Sequence, residues 1–217
     1  MIKAVIFDMD GVLIDSEPIQ SKSFEQVLKT YGAKPIPHKN GLVQTVGITS
    51  MDNVKVFKQK YNIKESIASL LNKKRRVYGK LLREELKPKK GLLPLLIRLR
   101  RKGLKLAIAS SSSPNDIKFV LSGLKIAKYF DKSISGESIR RGKPHPDIFL
   151  KTARLLNVAP KFCLVLEDAE AGVLAGKRAD MKVIAISNKF TDDRHLAKAD
   201  LIISSLEKIT LEMISDL

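Results

Sequence analysis

A single cysteine, Cys163, rules out any intrachain disulfide. It lies in the apolar run Phe162-Cys163-Leu164-Val165-Leu166, which reads as a buried structural thiol in a reducing cytoplasm. Tryptophan is absent and aromatics make up only 6% of residues, so there is little material for stacking nucleic-acid bases. The three histidines, His38, His145 and His195, have no zinc-site spacing with one another. No window approaches the ~18 uninterrupted apolar residues of a membrane helix. The first apolar run is broken by Lys3, Asp8, Asp10 and Asp15, which a signal peptide would not carry. Internal repeats and low-complexity segments are also missing.

What is present is ordinary for a folded domain. The 217 residues are 44% hydrophobic and 29% charged, enough for one sizeable core plus a small satellite. The formal net charge of +17 is high. Basic residues gather at Lys73-Lys74-Arg75-Arg76, Lys87 to Lys90, Arg98 to Lys105, and Arg140-Arg141-Gly142-Lys143. They read first as a solubilising surface. The functional alternative is attraction of a polyanion, either nucleic acid or a phosphorylated metabolite.

Short apolar runs predict strands at Ile2–Phe7, Leu104–Ala109, Phe162–Leu166, Lys182–Ile186 and Leu201–Ile203. Helical patterns lie between them, at Leu92–Leu99, from Ser113, from Pro146-Asp147 to about Leu156, and over Ala169–Ala179. Strands alternating with helices predict an α/β fold, a Rossmann-like parallel sheet with helices on both faces. Residues 16–87 break the alternation. Helical spacing at Ser23–Tyr31, Met51–Tyr61 and Glu65–Glu85 predicts an inserted α-helical domain, with residues 1–15 and 88–217 forming the core.

Four segments could carry chemistry. Asp8-Met9-Asp10-Gly11 places two carboxylates where a buried strand ends, the edge at which open parallel sheets bind ligands. Gly11 would let the backbone turn tightly there. Ser110-Ser111-Ser112-Ser113 ends another strand with hydroxyls ahead of a helix start, a place suited to a phosphate oxyanion. Within Gly142-Lys143-Pro144-His145-Pro146, the prolines are expected to hold the chain extended and so fix Lys143. Glu167-Asp168 opens a helix after a third strand. Asp168 could simply cap that helix, or both acids could join a hard divalent cation. If all four segments meet on one sheet edge, they supply the inventory for a phosphoryl group.

This set, in this order, resembles the haloacid dehalogenase-like hydrolase superfamily, in the branch of β-phosphoglucomutase-like phosphatases and mutases with a helical cap. Asp8 to Pro18, Ser110, Gly142-Lys143-Pro144 and Glu167-Asp168 look like its four motifs. The resemblance implies that Asp8 attacks phosphorus, while Asp10 protonates the leaving alcohol and later takes a proton from water. It implies Mg2+ held by Asp8, the backbone carbonyl of Asp10, and Asp168, with Glu167 alongside. Ser110 and Lys143 would hold the phosphoryl oxygens, with Gly11 and Ser111 beside them and Gln20 and Lys74 meeting the substrate. The mutases of the branch carry a histidine where Gln20 stands and an arginine where Ser50 aligns, whereas Lys74 matches them. Relatives usually have glycine where Asp180 stands.

The expected function is thus an Mg2+-dependent phosphatase on small phosphate monoesters, most plausibly sugar phosphates. An intramolecular phosphoryl transferase and a nucleic-acid-binding protein stand as alternatives. The expected partner is a small phosphorylated metabolite rather than nucleic acid, and no membrane. A cytoplasmic monomer is the default.

Overall fold

A computed structural model describes residues 1–33, 50–188 and 192–217. They form two compact units: Met1–Asp15 with Lys87–Leu217, and Ser16–Leu86.

The first unit is built on six strands: β1 (Ala4–Phe7), β2 (Lys105–Ser110), β3 (Lys132–Ser135), β4 (Cys163–Glu167), β5 (Lys182–Ile186) and β6 (Leu201–Ile203). All pair in parallel, in the order β3-β2-β1-β4-β5-β6. β2 and β3 add on one side of β1, and β4 then returns to its other side. The winding reverses there, which is where such sheets open a crevice. β1 and β4 are buried along their whole length, as central parallel strands covered on both faces must be.

The helices of this unit complete the crossovers: α4 (Leu92–Arg101), α5 (Pro114–Gly123), α6 (Asp147–Leu156) and α7 (Glu170–Arg178), with α8 (Leu211–Asp216) at the end. On one face Ala4, Ile6, Ala107, Val165 and Val183 pack against Phe149, Ala153 and Leu156 of α6 and Val173 and Ala175 of α7. Alternation turns Val5 and Phe7 to the other face, where Phe7 meets Phe130 edge-on at 5.6 Å. Cys163 opens β4 fully buried, and burial pushes its thiol up to about 11.

The expected α/β class is found, and all five expected strands lie within two residues of their predicted ends. β3 was not anticipated. Its sequence Lys132-Ser133-Ile134-Ser135 has one apolar residue, because an edge strand is covered on only part of its surface. α5 starts as the sequence predicts: the Ser113 hydroxyl accepts the Asp116 N–H at 3.2 Å. The expectation that prolines hold Gly142–Pro146 extended is wrong. The His145 N–H donates to the Gly142 carbonyl at 3.0 Å, closing a turn through a cis Lys143–Pro144 bond. The extended expectation presumed a trans bond, whereas a cis proline suits the third position of a tight turn. Asp180 takes a left-handed φ of 59°, in the place where glycine is usual.

The second unit is helical: α1 (Glu17–Lys29), α2 (Ser50–Lys60) and α3 (Ile67–Glu85). Phe24, Val27, Leu28, Val54, Phe57, Ile63 and Leu70 form its apolar cluster. On α3 the buried positions Leu70, Lys74, Tyr78 and Leu82 recur every four residues, so one lysine lies in an otherwise apolar stripe. Among the described residues no helix is long and apolar enough to cross a membrane.

Phe149 is fully buried beneath the sheet. Phe149→Ala should cost about 3–5 kcal/mol. Urea unfolding of the two proteins measures the difference.

Candidate active site

The sheet sets the site through register. Phe7 lies beside Leu166 in the β1–β4 ladder, and the next residue, Asp8, donates its N–H to the Leu166 carbonyl at 2.9 Å. Asp8 and Glu167 therefore end adjacent strands side by side. Parallel neighbours at one level point to the same face, so their carboxylates approach without any loop rearrangement.

Lys143 enters between them from the connection that follows β3. Its ammonium donates to Asp8 Oδ1 at 2.6 Å, to Glu167 Oε1 at 2.6 Å and to the Ala109 carbonyl at 3.1 Å. All three N–H bonds are used, on groups from β1, β4 and β2. The ammonium also lies 5.1 Å from the Phe149 ring centre, which carries it from below. The lysine and both acids are almost wholly out of contact with solvent. Burial pulls the Lys143 ammonium toward its neutral form, but Asp8 and Glu167 outweigh it and hold the lysine above its ordinary value.

Asp168 completes a trio of acids. Carboxylate oxygens of Asp8, Glu167 and Asp168 lie within 4.8 Å of one another, and all three residues are buried. Asp168 does not cap α7. The cap position is Ala169, and it makes no side-chain bond. Glu167 Oε2 instead accepts the N–H groups of Asp168, at 3.0 Å, and Ala169, at 3.2 Å. The carboxylate that ends β4 thus serves the helix start, leaving Asp168 to face the cluster. Asn188 Nδ2 donates to Asp168 Oδ2 at 3.2 Å.

Two glycines make room for these acids. Gly11 has φ +76°, and a Cβ there would sit 1.7 Å from Asp168 Oδ2. A Cβ on Gly172 would sit 1.8 Å from Glu167 Oε1. Three convergent carboxylates beside a single ammonium leave an excess of negative charge. The donors are all oxygen, which suits a hard divalent ion such as magnesium. The residues present fit that ion.

Asp10 is placed apart from the trio. Its Oδ2 accepts the Ser112 hydroxyl at 2.6 Å. Ser112 is itself fixed by two further bonds: its N–H donates to Ser110 Oγ at 3.1 Å, and its carbonyl accepts Ser135 Oγ at 2.6 Å. Ser110 is buried at the end of β2, and Ser111 is exposed beyond it. In the helical unit, Lys74 donates to Gln20 Oε1 and, at 3.3 Å, to Ser50 Oγ. The rings of Phe24 and Tyr78 flank its ammonium at 5.2 and 4.9 Å. The three positions that the sequence comparison singled out there meet one another.

The structure brings Asp8, Lys143, Glu167, Asp168 and Gly11 into one cluster, with Asp10 tied to the neighbouring serines. The sequence gives Ser112 no role apart from its neighbouring serines and does not single out Asn188. Asn188 follows β5 at the same carboxyl edge, so applying the strand-end rule to every strand would have found it. His145 is exposed, and His195 lies 3.2 Å from Glu170; neither joins the acids. His38 lies outside the described residues.

Asp8 is raised to about 7, chiefly by burial and further by Glu167 and Asp10, against the lowering by Lys143. A carboxyl with a raised folded-state value favours the folded protein at pH below its ordinary range, and that advantage disappears as pH rises to about 7. Metal-free protein should therefore melt at progressively lower temperature from pH 4 to pH 7. Asp8→Asn should flatten that slope. Calorimetry in a chelator across this range measures both.

The geometry can be set against known proteins. The chain is 31% identical over 207 residues to the phosphorylated carbohydrates phosphatase of Thermotoga maritima, covering 93% of each protein. It is 32% identical to hexitol phosphatase A of Escherichia coli, covering 96% of this chain and 94% of that one. The crystal structure of a β-phosphoglucomutase from Clostridium difficile superposes with a TM-score of 0.82 at 29% identity, covering all of this chain and 96% of the other. Residues 5–186, which include every acid of the cluster together with Ser110 and Lys143, match the family described as haloacid dehalogenase-like hydrolase. The chain belongs to the haloacid dehalogenase-like hydrolases.

Proposed function

We propose that this chain is a magnesium-dependent phosphatase for small phosphate monoesters of the sugar-phosphate class, working through a phosphorylated Asp8. The observation that carries the reading is the buried cluster of Asp8, Glu167 and Asp168 around the Lys143 ammonium. The activities of the named relatives, a carbohydrate-phosphate phosphatase and a hexitol phosphatase, point to the same substrate class.

Magnesium would be held by Asp8, Asp168 and the backbone carbonyl of Asp10, with Glu167 alongside. When bound it supplies positive charge that favours ionised Asp8 and offsets repulsion between that carboxylate and the phosphate. The rest falls to the chain's own groups. An Asp8 oxygen attacks phosphorus as the ester P–O bond breaks, and Asp10 gives its proton to the departing alkoxide. Asp10, now ionised, takes a proton from a water molecule. That water attacks the phosphorus of the acyl phosphate and releases inorganic phosphate, restoring Asp8. Lys143, exchanging one of its three present bonds, and Ser110 hold the phosphoryl oxygens, with Gly11 and Ser111 lining the approach. Stabilising charge on those oxygens is the main demand of phosphoryl transfer. Ser112 sets the direction of the Asp10 carboxylate.

The helical residues 16–87 act in this reading as the substrate-selecting cap, with Gln20 and Lys74 as its contacts. Lys74 also supports a second reading, intramolecular phosphoryl transfer between hydroxyls of one sugar, as named for the β-phosphoglucomutase relative. A cytoplasmic monomer remains the setting proposed.

A panel of sugar phosphates, with and without magnesium, tests the proposal when both phosphate release and isomerised product are scored. Phosphate release that disappears in a chelator is expected. Isomerisation dependent on a bisphosphate primer would favour the second reading, and no turnover of any ester would end both. Asp8→Asn should lower kcat by about 10⁴-fold or more. Gly172→Ala should push Glu167 out of place and weaken magnesium activation by about 10- to 100-fold, read from the magnesium concentration at half-maximal rate.

A further inference from the structure

The carboxyl edge of the sheet carries the acid cluster, and at the opposite edge cations outnumber acids, Asp131 there pairing with Arg100 and Asp200 with Lys177 and Lys182. β3, β2, β1, β4 and β5 are consecutive neighbours, and each begins at, or within two residues of, a lysine: Lys132, Lys105, Lys3, Lys161 and Lys182. With strands about 4.8 Å apart, the row runs for about 19 Å. Two of the five are bonded to oxygen atoms of the protein, and Lys3 and Lys161 lie over the Phe162 ring. Lys105 donates to the Leu156 carbonyl at 2.7 Å, and Lys182 pairs with Asp200 at 3.5 Å. Lys132, Lys3 and Lys161 are exposed and, among the described residues, have no carboxylate within 4.0 Å.

The connections that enter β2 and β3 arrive at this same edge. They add Arg101, Lys102, Lys125 and Lys128, all exposed and likewise without a carboxylate partner among the described residues. Cations are favoured where helices end, which accounts for Arg101 and Lys102. Lys3, Lys125, Lys128, Lys132 and Lys161 belong to the last turn of no α-helix. Like charges at strand spacing repel one another, so the row gains nothing within the protein itself.

We propose that this edge docks the phosphate backbone of a nucleic-acid duplex without reading its sequence. A duplex presents about one negative charge per 1.7 Å of axis, a linear array to meet a linear row. A single strand would want open aromatic faces. Here the Phe162 ring is taken by Lys3 at 4.8 Å and Lys161 at 5.2 Å, and Tyr129 lies under Lys128 at 5.4 Å. A row of strand starts also lacks the apolar helix face by which proteins lie in a bilayer surface. Nine of the chain's 40 lysines and arginines lie along this edge.

Fluorescence anisotropy with a labelled, random-sequence duplex of about 20 bp tests this. With about four phosphate contacts, the binding constant should fall roughly 150-fold between about 50 and 200 mM salt. Reversing Lys3→Glu, Lys132→Glu and Lys161→Glu together should weaken binding by at least about tenfold and flatten the salt slope, with the melting temperature unchanged. Reversing Arg75, Arg76 and Lys80, exposed residues of the helical unit, changes net charge equally and should alter binding by less than about twofold. If the first triple variant melts early, each single reversal takes its place and should still weaken binding. Equal weakening by both sets would reduce the effect to bulk charge and overturn the proposal. So would absence of binding at low salt, tighter binding to a single strand of the same length, or capture by phosphatidylserine vesicles in preference to the duplex.

Discussion

The site depends on one buried ammonium shared between two carboxylates. Lys143 holds Asp8 and Glu167 at hydrogen-bond distance while also bonding the Ala109 carbonyl, so it joins the ends of three neighbouring strands. Two acids at adjacent strand ends, out of contact with water, would repel each other strongly without it. Removing one partner from such a buried group leaves uncompensated charge, which typically costs about 3–5 kcal/mol. The arrangement is thus structural and chemical at once. It compels the turn at Gly142–His145 to deliver a lysine, and it leaves Asp168 as the acid not bonded to that lysine.

Around this triad the chain separates charge by height along the strands. The acid cluster lies at the carboxyl ends, where helices begin, and lysines outnumber acids at the amino ends, where helices finish. Helix dipoles favour both placements. The separation goes further than dipoles require at the lower edge, and less far at the upper one, where the excess negative charge suits a divalent cation.

Much of this was legible in the sequence because buried parallel strands are short, apolar and rich in branched residues. β1 and β4 announce themselves, and the residues at their carboxyl ends, Asp8, Glu167 and Asp168, fall at the ligand-binding edge. β3 was hidden because an edge strand needs only Ile134 on its buried face. Its absence from the sequence reading obscured why Lys143 is where it is, since the connection after β3 delivers that lysine. The shape of the Gly142–His145 turn was illegible because a proline spacing does not reveal the isomer of its peptide bond. Ser112 was passed over because four consecutive serines look alike until the strand end gives each a different direction. The meeting of Gln20, Ser50 and Lys74 required knowing that α3 turns Lys74 inward among Phe24 and Tyr78.

Gly11 and Gly172 are absences that the acids occupy. At both positions a single methyl group would overlap a carboxylate, so adding atoms there is more harmful than trimming most neighbouring side chains. Tolerance to mutation around the site is therefore lopsided. A side chain trimmed on the serine-rich side leaves space behind, while any growth at the two glycines must displace a carboxylate.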